Sequence, residues 1–214
     1  MESSARKYRD AVISILIGLM MLCGYAQSEM SKWKYQMSFG INFPENTGFV
    51  NPYEPRPLNF PTINLGVQHM FTGQYGAKLD LGYNRFSNAD NTPDFKTNYT
   101  RLNMQFVFDA TKSFNFLPSH TGVVWHAGPG LSFMKPLGSF TQNKQTYVNI
   151  LAGIELHYGL TKTVSVFSDF SYAYGLAGDK TYDPPRNGFG VFRGNLFTIS
   201  LGISVSLSGC QYCD

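Results

Sequence analysis

The sequence predicts an all-β fold, an eight-stranded antiparallel up-and-down transmembrane β-barrel, on three observations. Extended stretches alternate large apolar and small or polar residues with period two. The connections between them alternate between long and short. The polar faces are built mostly of Gly, Ser, Asn, Gln and Thr, not of the Lys and Glu that a water-facing sheet carries.

The plainest stretch is Trp33 to Phe43. Its odd positions are Trp33, Tyr35, Met37, Phe39, Ile41 and Phe43, and its even positions are Lys34, Gln36, Ser38, Gly40 and Asn42. A tilted strand needs about 9–11 residues to cross a bilayer, and this stretch has that reach. Composition agrees. Charged residues make up 14% of the 214, against a usual quarter, and aromatics reach 15%. A mean hydropathy of −0.17 excludes a helical membrane protein but suits alternating strands, which give no long hydropathy peak. A net charge of +3 with no run of Lys or Arg gives no reason to expect a nucleic-acid partner.

Residues 1–26 read as a signal peptide. Arg6, Lys7 and Arg9 precede an apolar core from Ala11 to Leu22, and Gly24-Tyr25-Ala26 supplies small residues for cleavage before Gln27. The apolar core is short for an anchor helix, and Met20-Met21-Leu22 lacks the small residues that a lipoprotein site at Cys23 requires. The barrel is expected over residues 32–208, followed by a short tail, 209–214. Cys210 and Cys213 in that tail have no neighbouring His and cannot complete a zinc site.

Taken in order, strand one ends at Phe43 and a proline-rich loop runs from Pro44 to Pro61. Strand two, Ile63 to Thr72, sets Ile63, Leu65, Val67, His69 and Phe71 against Asn64, Gly66, Gln68 and Met70. The turn Gly73-Gln74 makes a hairpin with strand three, where Tyr75, Ala77, Leu79, Leu81 and Tyr83 alternate with Gly76, Lys78, Asp80, Gly82 and Asn84. After a polar loop, 87–98, strand four puts Thr100, Leu102, Met104, Phe106 and Phe108 opposite Tyr99, Arg101, Asn103, Gln105 and Asp109. A medium connection, 110–121, leads to strand five, Val123 to Phe133, in which Pro129 suggests a bulge or bend.

A loop over 134–146 precedes strand six, where Val148, Ile150, Ala152, Ile154 and Leu156 oppose Tyr147, Asn149, Leu151, Gly153, Glu155 and His157. After the short turn 159–163, strand seven presents Val164, Val166, Phe170, Tyr172 and Tyr174, with Phe167 and Ser168 breaking the alternation. The loop 176–194 leads to strand eight, Phe197 to Leu207. Four long loops then share one rim and the short turns the other, the arrangement of an outer-membrane barrel whose N-terminus lies on the short-turn side.

The alternation alone also fits a soluble, lipocalin-like ligand-binding barrel. The sparse charge of the polar face and the aromatics near strand ends, among them Trp33, Phe43, Phe71, Tyr75, Tyr83 and Phe133, favour lipid outside and a polar interior. The inward charges are then Lys34, Lys78, Asp80, Arg101, Asp109, Glu155 and Asp169. They are expected to pair across the lumen, because an isolated buried charge is strongly disfavoured. Such pairing plugs a narrow barrel that its own side chains fill.

The whole mature chain resembles the small OmpA/OmpX-type eight-stranded outer-membrane barrels. The stretches Phe95-Lys96-Thr97-Asn98-Tyr99-Thr100-Arg101-Leu102-Asn103-Met104-Gln105 and His126-Ala127-Gly128-Pro129-Gly130 resemble OmpA-related barrels of the Bacteroidetes type. The resemblance implies residence in the outer membrane, with membrane lipid as one partner. Two departures stand out: no C-terminal peptidoglycan-binding domain is expected, and the chain runs past strand eight through Ser208 to Asp214 instead of ending on an aromatic.

A structural or interaction role follows, with a partner or surface met by loop aromatics Phe49, Tyr53, Phe60, Phe95, Phe140, Tyr182, Phe189 and Phe192; packing of those rings within the loops, or at the membrane interface, is the other reading. The alternative of a lipid-modifying enzyme requires a base near the long-loop rim. His69, His126 and His157 fall towards the short-turn end and His120 in a turn. No catalytic, metal or cofactor residue is therefore expected. Gly128-Pro129-Gly130 and Gly188-Phe189-Gly190 lack the following helix of a phosphate loop.

Overall fold

Alternation along each stretch becomes two unlike faces once the strands pair. The computed structural model describes residues 33–46, 49, 51–114, 116–176 and 195–207. Its strands are β1 (Trp33–Pro44), β2 (Asn59–Met70), β3 (Tyr75–Ser87), β4 (Lys96–Asp109), β5 (Thr121–Pro136), β6 (Gln145–Gly159), β7 (Val164–Gly175) and β8 (Leu196–Ser206). Each pairs antiparallel with its sequence neighbour, and β1 pairs with β8 from Lys34↔Ser206 to Pro44↔Leu196, so the sheet closes with no free edge. The expected signal peptide, the tail with Cys210 and Cys213, and most of the last long loop, including Tyr182, Phe189 and Phe192, lie outside the described residues.

The burial is inverted relative to a soluble domain. Leu79, Leu81, Met104, Phe106 and Leu201 are exposed on the outside, whereas Gln36, Asn64, Lys78, Arg101 and Glu155 are buried inside. Exposed aromatics ring both ends: Trp33, Phe71, Tyr75, Trp125 and Tyr158 near the short turns, Phe60, Phe133, Tyr172 and Tyr174 near the long loops. These are the two girdles of a membrane barrel.

Three local features differ from the sequence expectation. β2 begins at Asn59, well before Ile63. The β1–β2 ladder passes from Gly40↔Thr62 to Asn42↔Asn59, so Phe60 and Pro61 together face Ile41 as a bulge. Pro61 cannot donate to the ladder, and the bulge is where its missing N–H does least harm. Pro129, by contrast, makes no register shift. It pairs with Ile150 on β6, and only the β4–β5 pairs between Asn103↔Gly130 and Phe106↔Ala127 lapse beside it. Phe167 points inward and is buried, with Ser168 on the outside. Its ring fits because Gly202 lies opposite on β8: a Cβ there would come within 2.6 Å of the ring and 2.4 Å of the Met37 carbonyl oxygen.

Candidate functional site: the filled lumen and its rim

Inward side chains fill the lumen in layers. At the short-turn end Met70, Val107 and Val124 form a small apolar floor. Above it lies an ionic layer supplied by β1 and by β3 to β7. Lys78 Nζ is 2.5 Å from Glu155 Oε1, while Glu155 Oε2 accepts from Gln36 Nε2 at 2.8 Å and from His157 Nε2 at 2.7 Å. Because a carboxylate only accepts, His157 must carry its proton on Nε2; its ring stacks on Phe167 with centroids 5.1 Å apart. His126 Nδ1 meets Gln105 Oε1 at 2.5 Å, and its Nε2 faces Asp169 at 3.7 Å. Ser171 Oγ donates to Asp169.

A second ion pair stands closer to the long loops. Arg101 Nη1 donates to Asp80, and Nη2 donates to Asn64 Oδ1 at 2.8 Å. The guanidinium occupies space left by Gly82, where a Cβ would fall 2.6 Å from Arg101 Nε. Neutral groups continue the network. Asn149 Nδ2 donates to Ser132 Oγ at 2.7 Å, Asn103 Nδ2 to Asn149 Oδ1 at 2.6 Å, and Thr62 Oγ1 to Asn84 Oδ1 at 2.8 Å.

Thus the expected inward charges are all buried, but their partners differ. Lys78 joins Glu155 and Arg101 joins Asp80 directly. Asp169 is met by His126 and Ser171. Lys34 lies within electrostatic reach of Asp109 and Glu155, and Asp109 Oδ1 also accepts the Thr111 backbone N–H at 3.0 Å. The inward pattern did not single out Gln36, Asn64 and Gln105 as partners of the charged and imidazole groups; their even spacing beside those groups was the available signal. His126, Glu155 and Asp169 bring ligand-type atoms within 4.8 Å of one another. The Lys78 ammonium already supplies a cation to that carboxylate pair's Glu155.

The long-loop mouth is closed by an apolar layer. Phe86, Phe95, Tyr99, Met134, Tyr147, Leu151, Ala173 and Leu196 are packed together, with Phe49 and Tyr53 turned down onto them from the first long loop. Phe49 stacks on Phe95 at 5.5 Å. Three of the loop aromatics thus pack over the mouth, whereas Phe60 is exposed on the outer face. The two loops are joined by a Pro55↔Asn88 bridge and by the Ala89 N–H donating to the Glu54 carbonyl at 2.8 Å.

The four histidines fall where the sequence placed them. His69 pairs with Trp33 at the start of β1, His157 with Gly122 near the start of β5, and His126 with Val107, while His120 lies in the connection before β5.

No family model matches the chain, and neither does any curated protein. Solved structures do match. Neisserial surface protein A aligns with a TM-score of 0.58 at 13% identity, over 84% of this chain and 99% of that one. The outer membrane protein OprG from Pseudomonas aeruginosa aligns at 0.54 and 9% identity, over 81% and 95%. A major outer membrane protein from Thermus thermophilus aligns at 0.52 and 12%, over 81% and 98%. At such identities the likeness is one of fold: the chain has the eight-stranded closed antiparallel barrel of these outer-membrane proteins, with an apolar exterior suited to lipid.

Proposed function

We propose that this protein is a non-conducting, non-catalytic barrel with a structural or interaction role, presenting its long loops outside the cell to a partner or surface. The observation that carries the reading is the filling of the lumen: an apolar floor, two levels of paired charge, and an aromatic plug to which the first two long loops contribute. A hydrated ion crossing it would have to break buried pairs and displace close-packed rings, and a barrel of this strand number has room only for its own side chains. Residues 1–26 serve as the export signal in this reading, on the strength of the basic start, apolar core and small residues before Gln27.

The test is electrical. The mature barrel, refolded and inserted into a planar bilayer in molar KCl, is expected to leave the membrane without discrete conductance steps. Reproducible single-channel steps that scale with protein concentration would overturn the proposal.

A further inference from the structure

Charge is almost absent from the outward face of the barrel, and its exceptions are neighbours. Along the outward positions of β1 to β8 there is no Asp or Glu, and the only Lys or Arg are Arg85 on β3, Lys96 on β4 and Lys135 on β5. Arg85 pairs with Asn98, Asn98 pairs with Lys135, and Lys96 pairs with Ser87 one outward step higher. All three are exposed and lie at the long-loop ends of adjacent strands.

Their height has a physical meaning. From Tyr75 to Arg85 the outward face of β3 rises about 25 Å, at ~3.3 Å per residue and a tilt near 40°, the thickness of an outer-membrane apolar band. Arg85 therefore sits at headgroup level. Asn98 Oδ1 accepts from Arg85 Nε at 2.9 Å and from the Tyr83 hydroxyl at 3.0 Å, which holds the guanidinium on the row. Among the described residues no carboxylate makes an ion pair with Arg85, Lys96 or Lys135.

A cavity of about 470 Å³ opens beside them, lined by Arg56, Asn59, Arg85, Asn88, Asp94 and Lys96, with exposed Phe60 also in its wall. Its walls are built. Buried Asn59 donates from Nδ2 to the Arg56 carbonyl at 2.6 Å and accepts the Ser87 N–H at 3.0 Å. Asn88 Nδ2 donates to Asp94 Oδ1 at 3.1 Å, and Arg56 is tied to Asp90 at 3.5 Å. Arg85 and Lys96 line the cavity and Lys135 stands beside it across Asn98; with Asp94 the one acid in the wall, three cations that no described carboxylate pairs suit a dianionic phosphate better than a monoanionic one. On the β1–β8 side of the rim, Glu45 accepts from the Tyr172 hydroxyl at 2.5 Å and from Asn195 at 3.0 Å.

We propose that Arg85, Lys96 and Lys135, with this cavity, bind the phosphomonoester headgroup of an outer-leaflet lipid whose acyl chains lie down the outward faces of β2 to β4. The proposal rests on the membrane reading and adds a lipid partner to it.

The mature barrel in phosphatidylcholine nanodiscs, titrated with phosphatidic acid, phosphatidylglycerol or further phosphatidylcholine, tests it by native mass spectrometry. Phosphatidic acid is expected to bind tightest. Arg85→Gln, Lys96→Gln and Lys135→Gln should each weaken that binding about fivefold and the triple variant roughly 100-fold, the scale of one basic residue near an anionic surface. Lys112→Gln with Lys162→Gln, in the short-turn connections, should leave it unchanged.

Wild-type affinity retained by the triple variant, phosphatidylglycerol bound as tightly as phosphatidic acid, or displacement of the lipid by millimolar inorganic phosphate would each overturn the proposal. Failure of the wild-type barrel to enter nanodiscs would instead condemn the membrane reading itself. The substituted side chains point away from the barrel interior, and retention of the heat-sensitive folded band on gels checks that each variant is folded.

Discussion

Arg101 shows at the scale of one residue how the lumen is held. Its long side chain fits a crowded wall because Gly82 offers no Cβ, and its charge is matched by Asp80 and by the amide oxygen of Asn64. Such a pair is not itself a large source of stability, since both ions lose their hydration on burial. Breaking it is another matter, because the remaining carboxylate is left alone in a poor dielectric. Arg101→Ala is expected to destabilise the barrel by about 3–5 kcal/mol, read as a lower urea midpoint or a lower temperature for loss of the compact gel band. Adding Asp80→Leu to an Arg101→Met variant should recover most of that loss. An unaltered midpoint for Arg101→Ala would mean that the pair is solvated and the lumen open to water at that level.

At the scale of an element, β3 measures the bilayer. Its outward positions run Tyr75, Ala77, Leu79, Leu81, Tyr83 and Arg85, aromatic at the ends of the apolar stretch and charged only beyond it. Leu79→Arg should cost about 2–4 kcal/mol and Ser87→Arg at most about 1 kcal/mol, because the penalty for a cation falls with distance from the bilayer midplane; reversible unfolding from lipid vesicles measures both. Equal costs would remove hydrocarbon from that face. This ruler was legible in the sequence because period two fixes which way every side chain points. The same logic held from Ile63 onward but missed the start of β2, read as loop through Pro61, where the Phe60-Pro61 bulge puts Asn59 and Thr62, three residues apart, on the same inward face. It also could not foresee Phe167, whose inward ring depends on the hole left by Gly202 on a neighbouring strand. Parity states that Lys78 and Asp80 face inward, but the choice of Glu155 and Arg101 as partners depends on stagger around the closed barrel. Nor did the composition of the first long loop reveal that Phe49 and Tyr53 turn back into the mouth.

For the whole molecule the decisive quantity is which solvent each face meets. Leu79 and Phe106 are roughly half exposed on the outside, while Lys78 and Gln105, their neighbours in sequence, are buried inside. In water the outward band would lose about 25 cal/mol for every Å² of apolar surface left wet, and no rearrangement of the same strands recovers it without burying the charged lumen face against lipid or exposing it. Lipid therefore belongs outside, and the prediction concerns access from within the membrane. With Cys210 and Cys213 replaced by Ser, single cysteines at Leu79 and Phe106 should react with a thiol reagent dissolved in the hydrocarbon, while one at Gln105 should not until the barrel is unfolded. Lys78→Cys removes the partner of Glu155 and is the harsher probe, so Gln105 serves as the reporter for the lumen face. Rapid labelling at Gln105 together with protection at Leu79 and Phe106 would reverse the two faces and return the chain to a water-soluble barrel.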